Sequence, residues 1–165
     1  MFVRNLETNV TTRVSVAPGG VEANAQSSFP TLSGDGRFVA FESGATNLVA
    51  IDTNGQDDVF VVELATGTVQ QLGQSADSDP TIIDVSFDGQ LVAFSSSAAL
   101  IASDTNAFDD IYVVNHQTNA VERVSLSNAG VQANGDSWPS HGWRTVLLRG
   151  RQCANGCRRH RLHDF

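Results

Sequence analysis

Lysine is absent from this chain, cysteine occurs only at Cys153 and Cys157, and no apolar run approaches the roughly 20 residues that a membrane-spanning helix needs. Without such a run, no membrane insertion is expected. With both thiols in the last stretch of chain, the rest carries no disulfide framework and no redox information. No stretch shows 3.6-residue hydrophobic periodicity, so helix is predicted to be a minor component at most. There is also no Gly-x-Ser-x-Gly elbow to expose one of the many serines as a nucleophile. The N-terminus lacks a signal-peptide pattern.

Charge is unevenly placed. Of the 18 acidic residues only Asp164 lies beyond residue 140, whereas Arg144, Arg149, Arg151, Arg158, Arg159 and Arg161 crowd that region. Before it the basic residues are Arg4, Arg13, Arg37 and Arg123. The body of the chain is therefore strongly acidic, which argues against nucleic acid or an anionic membrane as its partner. Its length suits one ordinary domain, and 41% hydrophobic residues can supply a core.

What is present is repetition. A block of about fifty residues is written twice and begun a third time. The first copy holds Ser33-Gly34-Asp35-Gly36-Arg37-Phe38-Val39-Ala40-Phe41, then Asp52-Thr53-Asn54, then Asp57-Asp58-Val59-Phe60-Val61-Val62 and Thr66-Gly67. The second holds Ser86-Phe87-Asp88-Gly89-Gln90-Leu91-Val92-Ala93-Phe94, Asp104-Thr105-Asn106, Asp109-Asp110-Ile111-Tyr112-Val113-Val114 and Thr118-Asn119. Residues 2–9 align with 60–67, so Met1 falls inside a unit and the missing signal pattern leaves the compartment open.

Each unit reads as about four short strands of Val, Ile, Phe and Tyr, divided by turn chemistry. In the second unit these are 81–86, 91–96, 111–114 and 121–125. Asp88-Gly89 and Thr118-Asn119 sit where a tight hairpin needs residues that tolerate positive φ. Four antiparallel strands recurring at this spacing predict an all-β fold, a β-propeller blade per unit.

The motifs resemble the TolB-type, WD-like β-propeller repeat. Ser-x-Asp-Gly-Arg/Gln-x-Val-Ala-Phe is similar to its second-strand signature, and Asp-Val/Ile-Phe/Tyr-Val-Val to its third. The resemblance covers residues 1 to about 140 and implies an architecture more firmly than a function. It implies Asp-Gly hairpins, a Val-Ala-Phe strand packed between blades, and export across a bacterial inner membrane to a periplasmic or extracellular site. The expected organisation is a partial propeller over 1–140, with units 1–16 (partial), 29–73, 80–126 and 127–140 (partial). Because a ring closes with about four to eight blades, the chain is expected to be a piece of one, and open blade edges are expected to promote self-association.

The last segment, 141–165, departs from the pattern. Asn134-Gly135-Asp136-Ser137-Trp138-Pro139-Ser140 parallels Asn24 to Pro30, yet no Asp-Gly-Arg or Val-Ala-Phe follows. Reading codons one nucleotide later from Gly142 permits Asp-Gly, then Phe-Glu over 148 and 149, then Val-Ala-x-Asp-Thr over 156–160. That restores the spacing of Asp35-Gly36, Phe41-Glu42 and Val49 to Thr53. An out-of-frame segment is expected, with a genuine tail as the alternative. Its Cys153, Cys157, His160 and His163 are irregularly spaced for a zinc site.

The acidic loops are the candidate site. Asp52, Asn54, Asp57 and Asp58 in the first copy, and Asp104, Asn106, Asp109 and Asp110 in the second, gather hard oxygen ligands that suit calcium. They lack the full Asp-x-Asp-x-Asp-Gly pattern, and Asp and Asn also serve turns by bonding nearby amides, so turn structure is the competing reading. His116 is expected to pack or face solvent, and Trp138, Phe29, Phe41 and Phe94 are expected in the core. No catalytic residue and no further cofactor is expected. The functional expectation is a non-enzymatic scaffold binding a protein or peptide on one propeller rim. The alternative is the propeller portion of an enzyme, such as a prolyl-oligopeptidase-type peptidase or a sugar-cleaving enzyme.

Overall fold

The structure, a computed structural model, describes residues 1–52, 55–73, 83–127 and 129–137. Within that range the regular structure is ten strands and no helix. Asn54, Trp138 and the 141–165 segment lie outside the described residues.

Strands β1 (Phe2–Arg4) and β2 (Thr11–Arg13) pair as a two-stranded ribbon. Four strands, β3 (Ser27–Leu32), β4 (Phe38–Ser43), β5 (Asp58–Glu63) and β6 (Thr68–Leu72), form one antiparallel sheet in chain order. A second such sheet follows with β7 (Ile83–Val85), β8 (Leu91–Ser96), β9 (Asp110–Asn115) and β10 (Ala120–Arg123). Strand β8 has the expected bounds, and β9 extends one residue beyond 111–114 at each end because backbone pairing continues through Asp110 and Asn115.

The shared turn explains the Ser-x-Asp-Gly motif. The Ser33 hydroxyl donates to Asp35 Oδ1 at 2.7 Å and accepts the Phe38 N–H at 3.0 Å, while Asp35 Oδ1 accepts the Arg37 N–H at 3.0 Å. Ser86, Asp88, Gln90 and Leu91 repeat the set at 2.7, 3.0 and 3.2 Å. The turn amides are thereby satisfied by side chains two to five residues away. At Gly89, with φ of 74°, the Phe38 ring of the preceding sheet also occupies the space a Cβ would need.

Alternation within each strand divides the core into two layers. Phe38, Ala40, Val59, Val61 and Leu72 of the first sheet meet Ile83, Val85, Val92, Phe94 and Val114 of the second. On the opposite face Val39, Phe41, Phe60 and Val62 pack against Val14, with Met1 and Val3 of the ribbon alongside. Phe41, paired with Phe60, and Phe94, paired with Tyr112, thus face the preceding element in the same way, and both are fully buried. Strand β7 of the second sheet lies against both β3 and β4 of the first, with the Thr31 hydroxyl on the Ile83 carbonyl at 2.8 Å. Stacked four-stranded sheets of this kind are successive blades of a partial β-propeller.

The ribbon is the outer half of a preceding blade. Its Met1 amine bonds Ser15 Oγ at 2.7 Å as the Ile111 N–H bonds Ser125 Oγ at 3.1 Å. The Val14 N–H reaches the Met1 carbonyl as that of Val124 reaches Ile111, and the bridge Val16 to Glu22 recurs as Leu126 to Gln132.

Phe29 is a correction. Its expected core position is instead 56% exposed, because β3 breaks register between Ser28 and Thr31 and Phe29 takes φ of 49°. The bulge on this inner edge strand turns the ring off the packed face.

Phe94→Ala is expected to cost about 3–5 kcal/mol in denaturant unfolding, whereas Phe29→Ser should stay within about 0.5 kcal/mol. Equal losses would contradict the layer assignment.

Candidate functional site

The acidic loops close the rim opposite the Asp-Gly turns. In the second copy Asp104 and Asp110 are buried and face one guanidinium. Arg123 Nη1 lies 3.0 Å from Asp104 Oδ1 and 3.2 Å from Asp110 Oδ2, and its Nη2 donates to the Ser103 carbonyl at 3.1 Å. The Tyr112 hydroxyl donates to Asp104 Oδ2, and the Ser125 hydroxyl to Asp110 Oδ1. Burial first, and then the Asp104 carboxylate, push the Tyr112 hydroxyl far above its usual range, so it remains a donor.

The remaining predicted ligands have separate partners. The Asn106 N–H bonds Asp104 Oδ1 at 3.3 Å, and its Nδ2 donates to the Ala133 carbonyl at 2.9 Å. The Asp109 N–H donates to Asp136 Oδ1 at 3.1 Å, while its carbonyl accepts the Ser137 N–H at 2.7 Å. Burial, then the charges of Asp136 and Asp110, raise the Asp109 carboxyl above its ordinary value. In the first copy Asp52 Oδ1 accepts the Gly55 N–H at 3.2 Å, Asp57 lies against Gly44, and Asp58 is buried at the start of β5. Among the described residues no three His, Cys, Asp or Glu side chains form a group that could hold a metal.

The two copies differ in chemistry. Phe60 and Gln71 pair in the first sheet where Tyr112 and Arg123 pair in the second. Gln71 in the first sheet thus occupies the position that Arg123 holds in the second. Motif reading passes over the Arg123 brace, although its signal is in the sequence: Arg-Val-Ser stands at 13–15 and again at 123–125. Arg13 pairs with Glu22 in the ribbon, as Arg123 bonds Gln132 at 3.1 Å.

On the turn-bearing rim, the seam between the blades opens as a cavity of about 200 Å³. Phe38 and Val61 contribute apolar surface, while Glu63, Thr68, Gln70, His116 and Gln117 contribute polar groups. The Phe38 and His116 rings are tilted at 55° with centroids 5.0 Å apart. Gln70 Nε2 crosses the seam to the His116 carbonyl and to Asn119 Oδ1, each at 2.7 Å. His116 Nε2 is buried with no hydrogen-bond partner among the described residues. Burial lowers the His116 pKa, and the charges of Glu63 and Asp88 oppose that shift without cancelling it. His116 thus packs in the seam, with Nε2 enclosed and not offered to solvent. The accessible lining thus combines apolar surface with a carboxylate, a hydroxyl and amide groups.

No protein-family model and no curated protein matches this sequence. Among solved structures the chain is similar to TolB from Acinetobacter baumannii, at 16% identity and a TM-score of 0.44, over 78% of this chain and 26% of that one. It is similar to an oligogalacturonate lyase from Vibrio parahaemolyticus at 14% identity and 0.47, over 89% and 33%. The β-propeller domain of the Trilobed protease from Pyrococcus furiosus aligns at 17% identity and 0.42, over 61% and 27%. The chain spans about a quarter to a third of the length of these proteins.

Removing one member of the brace leaves a buried charge unpaired. Asp110→Ala should cost about 3–5 kcal/mol by denaturant titration, and a loss under about 1 kcal/mol would show the brace to be dispensable.

Because Asp104 and Asp110 already bond Arg123, Tyr112 and Ser125, millimolar calcium is expected to leave the melting temperature unchanged. A rise that Asp52→Ala with Asp104→Ala abolishes would establish the calcium reading instead.

Since the folded His116 pKa lies below its unfolded value near 6.5, the unfolded chain takes up the proton first as pH falls. The stabilising contribution of neutral His116 is present above about pH 6.5 and declines below it. Between about pH 7.5 and 5.5 the wild type should lose more stability than His116→Gln. Parallel losses would mean that His116 is not held neutral.

Proposed function

We propose that the chain is a non-enzymatic propeller scaffold that binds a protein or peptide on its turn-bearing rim. The observation that carries this reading is the seam cavity, which opens where two blades meet and combines apolar walls with polar groups. The opposite rim supports it by contrast, since Asp104, Asp110, Arg123, Tyr112 and Ser125 bond one another there. A partner chain could lay its backbone across the turns and place a side chain in the seam. Specificity in such a contact resides in the pocketed side chain, while the rest supplies complementarity.

Peptide display against the whole chain is the test. Enriched peptides should bind the wild type and lose affinity on Thr68→Trp, which fills the cavity from an exposed position. Peptides that ignore this change would move the binding surface elsewhere. Turnover of a peptide or oligosaccharide, with no peptide retained, would favour the propeller portion of an enzyme.

A further inference from the structure

One row of side chains crosses each sheet on the face turned towards the following blade. In the first sheet the row is Thr31, Ala40, Val61 and Gln70, paired in register from β3 to β6. Ala40 and Val61 join the core shared with the second sheet. The two ends donate across the seam, the Thr31 hydroxyl to the Ile83 carbonyl at 2.8 Å and Gln70 Nε2 to the His116 carbonyl and Asn119 Oδ1 at 2.7 Å each. In the second sheet the same row is Asp84, Ala93, Val113 and Glu122. Its middle stays apolar, but both donors have become carboxylates. Val113 is half-buried where Val61 is covered, and Glu122 is exposed.

The ribbon carries a surface that answers this one. Residues paired across two strands share a face, so Phe2 with Arg13 and Arg4 with Thr11 point away from the first blade, against which Met1, Val3 and Val14 pack. Phe2 is 64% exposed, whereas its repeat counterparts Phe60 and Tyr112 are fully buried. The ribbon turn is also the turn that Gln70 meets in the seam. Asn5 Oδ1 accepts the Glu7 and Thr8 N–H groups as Asn115 Oδ1 accepts those of Gln117 and Thr118, and Asn9 and Asn119 share φ of 59° and 56°. One change separates the two surfaces: where the second blade has Val114, the ribbon has Arg4. Arg4 donates to Thr11 Oγ1 at 2.9 Å and to Asn9 Oδ1 at 3.1 Å, both neutral groups. Its guanidinium thus lies at the counterpart of the atom that Gln70 bonds.

The two changes compensate each other. A carboxylate in the place of Gln70 could not donate to the acceptors of this turn, but it can accept from a guanidinium beside them. We propose that copies of this chain associate head to tail, the second blade of one copy packing on the ribbon of the next as the first blade packs on the second, with Glu122 paired to Arg4 of the neighbouring copy. Val113 then covers the side on which Phe2 is exposed. The surfaces are different, so the contact is heterologous and repeats, closing a ring or extending a chain of copies.

Sedimentation velocity of the full chain over a concentration series is expected to show mass rising above that of the monomer. Raising salt from about 0.05 M to about 0.5 M should weaken the association, because the exposed ion pair is screened. Glu122→Arg alone and Arg4→Glu alone each set like charges together and should weaken it at least about tenfold. An equimolar mixture of the two variants should recover it, since each presents the charge that the other needs. Both positions are exposed, so the circular dichroism and Tm of each variant should match those of the wild type. A monomer at every concentration overturns the proposal and assigns the face to another segment of the same chain. Association that ignores both charge changes, or a mixture that fails to recover it, overturns the Glu122 to Arg4 contact and with it the head-to-tail arrangement.

Discussion

The middle strands of each blade are apolar on both faces, and that constraint organises the molecule. Every residue of β4 is buried, with Phe38 and Ala40 on one side of the sheet and Val39 and Phe41 on the other. A sheet of this kind has no face to give to water, so each blade requires a neighbour on both sides. The first blade has them in the ribbon and the second blade. On the second blade, Leu91 and Val113 remain half-buried where their counterparts Phe38 and Val61 are covered. Stacking, and not any single blade, is the cooperative unit.

The polar groups follow a different division. Towards the loop rim, the chain between consecutive blades is fixed by bonds such as Asn106 to Ala133 and Asp109 to Asp136, with the Arg123 brace beneath. This holds two buried carboxylates and a guanidinium together, a combination that is tolerated only when each group is paired. Towards the turn rim, the seam is held by Gln70 and the Asp35 N–H to Phe87 carbonyl bond, leaving a cavity between them. The mutually paired polar groups and the cavity thus lie at opposite ends of the same sheets.

Much of the fold is legible in the residues because its causes are local. Asp35-Gly36 and Asp88-Gly89 mark turns whose hydrogen bonds involve only near neighbours, and Val-Ala-Phe alternates by strand geometry. The exposure of Phe29 is not legible in the residues because a bulge depends on how β3 meets β4, and no residue in Ser27–Leu32 states that register. The acidic loops look alike as strings, yet Asp104 meets Arg123 nineteen positions away, and the first blade has Gln71 in the place of that arginine.

By itself the sequence determined the repeat, the strand and turn content, and the equivalence of Phe41 and Phe94, since these depend on spacing and on backbone preferences of adjacent residues. Tertiary structure alone decided which polar groups neutralise one another and which are left facing a cavity. Arg123 with Asp104 and Asp110, or His116 with Phe38, become neighbours only through pairing and stacking. Electrostatics and burial act through distance in space, and that distance is set by the fold.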